Sequence, residues 1–202
     1  MTDVTASPVR LLAISGSARQ GSLNQRLLAA AARKAEALGA QVTHVDLRAL
    51  NLPVYDADLE AEAGVPAGAA ELRALFASHH GLLLASPEYN ALPTPLFINA
   101  FDWLSRLGAD AALPSGTGAT AGKPVGLLAA SPGGLGGLRA LPIVRTYLST
   151  NFAMVVVPEQ LGLGMADKAF NEDGSLAKPE LDAVLTKLVA SVVRQAGWLR
   201  TV

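Results

Sequence analysis

The sequence predicts an open α/β fold, with five strands in one parallel sheet and helices on both of its faces. Three observations carry that expectation. Residues 81–85, Gly-Leu-Leu-Leu-Ala, are almost wholly apolar, as a central parallel strand covered on both faces must be. Apolar segments at 9–14, 41–47, 81–85, 125–130 and 153–157 alternate with stretches of helical periodicity, the pattern of repeated strand–helix–strand units. The first, third and fourth of these segments each run directly into a loop rich in Ser, Gly or Pro, and ligands of open α/β sheets bind beyond the carboxyl ends of strands.

The first strand, at 9–14, is bounded by Pro8 and Gly16, and from Leu23 onward Leu27, Leu28, Ala31, Ala35 and Leu38 recur at helical spacing. Between them lies Ser15-Gly16-Ser17-Ala18-Arg19-Gln20-Gly21-Ser22-Leu23-Asn24, a loop suited to phosphate. The first N–H groups of a helix have no intrahelical partner and carry the positive end of its dipole, so an anion placed there is stabilised. Ser17, Ser22 and Asn24 can donate to phosphate oxygens, and Arg19 offers a planar, permanently charged fork. Ser22 and Gln25 also meet the S-x-x-Q capping box, so part of this polarity terminates a helix, but capping alone leaves Ser17 and Arg19 unexplained. The loop lacks both G-x-x-x-x-G-K-[ST] and G-x-G-x-x-G, which makes a small monophosphate the better-fitting guest.

Gly39-Ala40 ends the first helix, and 41–47 is a second strand with Val42, Val45 and Leu47 available to the core. Pro53, the acidic patch at 56–62 and Gly64-Val65-Pro66 together predict a surface loop. Alternate spacing of Asp56, Asp58, Glu60 and Glu62 marks a solvated face and not a metal cluster. A short helix at 71–80 carries Leu72, Leu75 and Phe76 on one face.

After the central strand, Ser86-Pro87-Glu88-Tyr89-Asn90 is a second site candidate. Pro87 stiffens the loop, Tyr89 supplies an aromatic face, and Glu88 and Asn90 supply polar contacts to a heterocycle. A rigid strand-to-helix turn accounts for the same residues equally well. A helix at 96–107 follows, with Asp102 and Arg106 at the spacing of a surface ion pair. Residues 109–122, rich in Gly, Ala, Ser and Thr, are expected to be mobile and without chemistry.

The strand at 125–130 ends in Ser131-Pro132-Gly133-Gly134-Leu135-Gly136-Gly137, a third loop at the same sheet edge. The helix at 138–149 contains Arg139 and Arg145, available to a nicotinamide cofactor's phosphates or simply solvated. A β-branched strand at 153–157 and an amphipathic helix through Leu181, Val184, Leu185, Leu188 and Val192 complete the pattern. His44, His79 and His80 have no nucleophile or carboxylate fixed beside them by a motif and are read as structural.

Composition sets the bounds. A chain of 202 residues, half of them hydrophobic, suits one large domain over 1–202. Sixteen basic and seventeen acidic residues give a net charge of −1, which offers no electrostatic case for nucleic acid or an anionic membrane. Without cysteine there are no disulfides, thiol nucleophiles or thiolate metal sites, so redox work would require a bound cofactor. No run approaches the roughly 18 apolar residues of a membrane span. The polar lead at 1–8 lacks the features of a signal peptide, and the cytoplasm is the expected location.

The string Gly16-Ser17-Ala18-Arg19-Gln20-Gly21-Ser22-Leu23-Asn24 resembles the G-S-x-R-x-x-S-x-N phosphate loop of the NADPH-dependent FMN reductases. Pro87-Glu88-Tyr89-Asn90 is similar to that family's ring-contacting loop, and Ser131-Pro132-Gly133-Gly134-Leu135-Gly136-Gly137 to its Gly-rich flavin loop. The stretches at 99–106 and 166–174 resemble its N-A-[apolar]-D-W-x-S-R and A-x-x-A-F-[DN]-E-D-G segments. Pro93-Thr94-Pro95 and Ile98 stand where relatives carry Pro-Gly and a lysine.

The resemblance implies a flavodoxin-like sheet of order 2-1-3-4-5. It also implies noncovalent FMN, NADPH or NADH as hydride donor, and a small-molecule acceptor such as a quinone, azo compound, chromate-like metal species or free flavin. Ser17, Arg19, Ser22, Leu23 and Asn24 would hold the phosphate, Pro87, Glu88, Tyr89 and Asn90 the ring, and Ser131, Gly133 and Gly134 its far edge. No dedicated catalytic acid or base and no metal are implied. Family members form dimers or tetramers, which suggests Trp103 as an interface anchor. Two rivals are a flavodoxin-type electron carrier that does not turn over NAD(P)H, and a nonredox domain that binds a phosphorylated ligand.

Overall fold

A computed structural model describes residues 7–199; the first six residues of the polar lead and the last three of the chain lie outside the described residues. Strands β1 (Arg10–Ser15), β2 (Gln41–Asp46), β3 (Gly81–Ala85), β4 (Pro124–Ala130) and β5 (Val155–Leu163) form one sheet of order β2-β1-β3-β4-β5. Every neighbouring pair is parallel, with Leu12 opposite Leu82 and Leu84 opposite Leu127 in register. This is the flavodoxin-like arrangement, and its order reverses at β1, which brings the carboxyl ends of β1 and β3 side by side.

Strand alternation divides the core in two. Leu11, Ala13, Leu83, Ala85 and Leu128 face α1 (Leu23–Ala37) and α7 (Pro179–Trp198). Leu12, Ile14, Leu82, Leu84 and Leu127 face the opposite layer of α3 (Ala67–Ser78), α4 (Pro95–Ser105) and α6 (Ala140–Asn151). Each fully buried leucine contributes about 1.5–3 kcal/mol, which explains why β3 and β4 contain no polar residue. At Gly126, an added Cβ would lie 2.6 Å from Leu188 and 3.0 Å from Val192, so the missing side chain seats α7. Val184 stands outside this packed face, 39% exposed.

Several elements depart from the sequence reading. β5 runs nine residues, to Leu163, because Pro158 falls in the register shift between Val156 and Gln160 on an edge strand, where a missing N–H is tolerated. The acidic patch is not a loop. It forms α2 (Ala57–Ala63), capped by Asp56, whose Oδ1 accepts from the Asp58 N–H at 2.8 Å. Helix α3 begins four residues earlier than expected.

Residues 109–122 carry regular structure. They contain α5 (Gly116–Thr120), and Asp110 accepts from the N–H groups of Ala112 and Leu113 and from Arg73 Nη2 at 2.7 Å. Buried Arg73 also donates to the Gly108 carbonyl at 2.7 Å, so one side chain fixes the start of the segment.

The expected Asp102–Arg106 ion pair does not form. Arg106 Nε reaches both oxygens of Glu60, at 3.0 and 2.9 Å, which removes Glu60 from the solvated face. Asp102 instead accepts from the Tyr147 hydroxyl at 3.4 Å, and burial raises its carboxyl above the usual carboxylate range despite that bond. Trp103 is fully buried and donates its indole N–H to the Pro53 carbonyl at 2.7 Å, which makes it a core residue and not an exposed anchor. His79 bridges α3 and β2, while the ring of half-buried His80, just before β3, accepts from the Arg10 N–H.

Candidate active site

The loops after β1, β3 and β4 converge on an open cleft of about 180 Å³. Its walls are Ser17, Arg19, Ser22, Leu23, Asn24, Pro87, Glu88, Tyr89 and Ser131 from the expected set, joined by Ala130 and Pro132. Asn90, Gly133 and Gly134 belong to the same loops but not to the wall. Ala130 and Pro132 carry no polar signal in sequence; only their neighbours Asn24 and Ser131 mark the place.

The first loop is ordered from within. Ser17 N–H donates to Ser15 Oγ at 3.2 Å, and Ser17 Oγ accepts from the Arg19 N–H at 3.3 Å. Ser22 caps α1, but its Oγ accepts from the Asn24 N–H at 3.2 Å and not from Gln25. Both hydroxyls are nearly buried, and neither donates to a protein atom among the described residues. The Arg19 guanidinium is exposed and has no hydrogen bond or ion pair among the described residues. Arg48 holds the loop from behind, its Nη1 donating to the Ala18 carbonyl at 3.0 Å.

Asn24 lines the cleft and also joins two of its loops. Its side chain is buried and joins the main chain of Ala130 through two hydrogen bonds of 2.9 Å, tying α1 to the end of β4. The departure at residues 93–95 also finds its reason here. Thr94 caps α4, accepting from the Phe97 N–H, and donates its hydroxyl to the Gly16 carbonyl at 2.7 Å. A Cβ at Gly16 would lie 2.9 Å from that hydroxyl oxygen, so the contact requires glycine.

In the second loop Tyr89 and Leu92 exchange two main-chain bonds, of 2.9 and 3.0 Å, around Asn90 and Ala91. Both of those residues have positive φ, 53° and 70°. The Glu88 carboxylate is engaged by the start of α6. It accepts from the Arg139 and Ala140 N–H groups at 3.0 and 3.2 Å and from the Arg139 guanidinium. Burial alone would raise its carboxyl, but these donors outweigh it and hold Glu88 below the usual carboxylate range. Arg139 is therefore paired, and Arg145 is committed to the carbonyls of Val156 and Val157 and to Gln160. Neither is a free cation.

In the third loop Ser131 Oγ accepts from the Gly133 N–H at 3.0 Å. Gly136 crosses the end of β5 so closely that a Cβ would lie 2.6 Å from the Gly164 nitrogen. Gly164 in turn lies against the Gly134 carbonyl, and the Met165 N–H donates to Gly133 O at 3.2 Å. Tyr89, which lines the cleft, and Leu92, Leu135, Leu138 and Met165, on these loops and the turn after β5, are each about half-exposed.

A dianionic phosphomonoester fits this set: two buried hydroxyls, an unpaired guanidinium and the first turn of a helix. The loops after β3 and β4 present an aromatic face and bare backbone beside it, as a planar heterocycle requires. Among the described residues there is no group of three or more His, Asp or Glu placed to hold a metal ion, and no helix is long and apolar enough to cross a membrane.

Residues 9–168 match the sequence profile of a family described as NADPH-dependent FMN reductase. The chain belongs to this family. As an FMN reductase of this kind it uses FMN and NAD(P)H. It is 35% identical to the Probable NADPH:quinone oxidoreductase 1 of Oryza sativa subsp. japonica, over 99% of this chain and 98% of that one. It is 32% identical to the Quinone reductase of Escherichia coli K12, over 83% and 85% of the two chains. Among solved structures, the flavoenzyme NAD(P)H:(acceptor) oxidoreductase FerB from Paracoccus denitrificans superposes with a TM-score of 0.77 at 25% identity, covering 94% and 98%.

Proposed function

We propose that this FMN reductase passes two electrons from NAD(P)H through FMN, held in the cleft between β1, β3 and β4, to a small-molecule acceptor. Quinones are the first choice, with azo compounds, chromate-like metal species and free flavin as further acceptors. The names of its relatives in rice and E. coli support the quinone reading. The observation that carries the site assignment is the unpaired guanidinium of Arg19 beside the nearly buried hydroxyls of Ser17 and Ser22.

FMN bound there would supply the redox chemistry, carrying two electrons between NAD(P)H and the acceptor. The chain supplies position. Ser17, Ser22 and the start of α1 at Leu23 hold the phosphate, with Arg19 compensating its charge. Asn24 fixes the distance between that loop and Ser131. The main chain from Pro87 to Asn90 supports one side of the ring, and Ser131, Gly133 and Gly134 the other. The half-exposed ring of Tyr89 lowers the cost of removing water from a planar acceptor. The reading requires no general acid or base of the chain, and the Glu88 carboxylate is engaged by Arg139.

The resemblance further supports one cytoplasmic domain over 1–202 that assembles as a homodimer or homotetramer, which sedimentation of the holoprotein would test. The deciding experiment is an absorption spectrum of purified protein with FMN, followed by anaerobic NADPH. A flavin band that binds and bleaches supports the proposal. Binding without bleaching by NADPH or NADH would make the protein a carrier, and no binding would refute the site.

A further inference from the structure

Helix α6 lacks a cap of its own: Arg139 at its N-cap makes no side-chain bond to the first turn. The missing acceptor arrives from 51 residues away. Glu88 Oε2 takes the N–H groups of Arg139 and Ala140, while Oε1 accepts from Arg139 Nε at 2.7 Å and from Nη2. The Glu88 side chain is only 8% exposed, whereas that of Arg139 is 58% exposed. The arrangement places a carboxylate at the positive end of a helix dipole and closes it with a guanidinium. It also joins the loop after β3 to the loop after β4, the two that flank the proposed ring position.

Two further features give the joint work to do. The loop carrying Glu88 turns through Asn90 and Ala91 at positive φ, a conformation that β-substituted residues resist and that neighbouring structure must enforce. On the other side, Gly137 sits close: a Cβ there would meet Ala129 at 2.6 Å and Glu88 Cβ at 3.8 Å. The two loops are thus in contact at their bases and braced at their polar ends.

We infer that Glu88 and Arg139 are positioning residues for the redox reaction: together with the first turn of α6 they fix the separation of the two loops around the flavin ring. This rests on the flavin reading of the cleft. It assigns the Glu88 carboxylate to α6 and not to the acceptor, and gives Arg139 a role unrelated to nicotinamide phosphates.

The test uses full-length protein and the variants Glu88→Gln, Arg139→Met and Arg139→Lys. Glu88→Gln keeps the shape and an oxygen for the α6 amides but loses the charge. Arg139→Met leaves the cap and removes the guanidinium. The readouts are the thermal midpoint, FMN affinity by fluorescence quenching, visible circular dichroism of bound FMN, and kcat and KM for NADPH at saturating FMN. Displaced loops are expected to lower FMN affinity and kcat per bound flavin about tenfold each in Glu88→Gln and Arg139→Met. KM for NADPH should move less than about twofold, the visible dichroism should change, and Arg139→Lys should restore most of kcat.

If Glu88→Gln does not fold, Arg139→Met decides. Variants with a lower thermal midpoint but wild-type FMN affinity, dichroism and kcat would overturn the inference and leave a purely structural cap. A wild-type protein that neither binds nor reduces FMN would overturn the flavin reading and this inference with it.

Discussion

Asn24 and Ala130 are joined by a reciprocal pair of hydrogen bonds, Oδ1 accepting from the Ala130 N–H and Nδ2 donating to its carbonyl, both at 2.9 Å. The pair lies where the first turn of α1 meets the end of β4, 106 residues apart in sequence. A residue whose position in the phosphate motif suggests ligand contact is, in the fold, the tie between two ligand loops.

Asn24→Ala should therefore damage both stability and binding. It leaves a buried N–H and a buried carbonyl without partners, at a cost of about 2–4 kcal/mol. The expected result is a fall of roughly 10 °C in thermal midpoint without flavin, together with weaker FMN binding. Calorimetry with and without FMN checks it, and an unchanged midpoint would contradict the role.

Arg19→Ala should separate these two effects. With no protein partner to lose, the flavin-free protein should keep its thermal midpoint. FMN affinity should fall by about 1.5–3 kcal/mol, the value of a charge-assisted bond, and the wild-type affinity should weaken as salt is raised. Fluorescence titration in both proteins reads each quantity. Equal affinities would place the phosphate elsewhere.

His79 predicts a stability profile in pH. Burial lowers its pKa below 6.5, reinforced by Arg10 and Lys123 and opposed by its bond to Leu75. Nδ1 must carry the proton, because it faces the Leu75 carbonyl at 2.7 Å, and Nε2 then accepts from the Thr43 hydroxyl at 2.8 Å. A group whose folded pKa is depressed contributes its full stability above the unfolded pKa and loses it as pH falls. Denaturant midpoints should accordingly be flat above about pH 6.5 and decline below it, and His79→Gln should flatten that decline. A profile that keeps the same slope in His79→Gln would assign the effect to other groups.

Ala91→Gly should stabilise the protein. Ala91 has φ of 70° as the second central residue of a two-residue turn, the position at which glycine is preferred. Relief of that strain is worth about 1 kcal/mol, or an increase of roughly 2–4 °C in thermal midpoint for a chain of this size. A lower midpoint would mean that the alanine methyl makes a compensating contact.

How much of this was legible depended on the range of the interactions. The sheet order and the central strands could be read because β3 and β4 are apolar on both faces, and that pattern is local. The ligand loops could be read because Ser17, Arg19, Pro87 and Ser131 stand directly after strands. Helix α2 was hidden because none of its residues is buried, which leaves no periodicity to see. The second half of β5 was hidden by Pro158. The pairing of Arg73 with Asp110, of Glu60 with Arg106 and of Glu88 with the start of α6 joins residues far apart in sequence. Nothing in the local spacing of Asp102 and Arg106 reveals that each has a better partner elsewhere.

Where the loop after β4 crosses the end of β5, Gly134 and Gly136 meet Gly162 and Gly164 with no side chain between the two backbones. Leu135, Leu138 and Met165 project from the same region at about half exposure. The molecule thus keeps separate the positions that hold its shape from those that meet the outside. For directed evolution, the glycines are the positions to leave untouched, since any Cβ at Gly136 or Gly164 would strike main chain. The three exposed apolar neighbours are the ones to randomise, because a change there leaves the glycine platform beneath them in place.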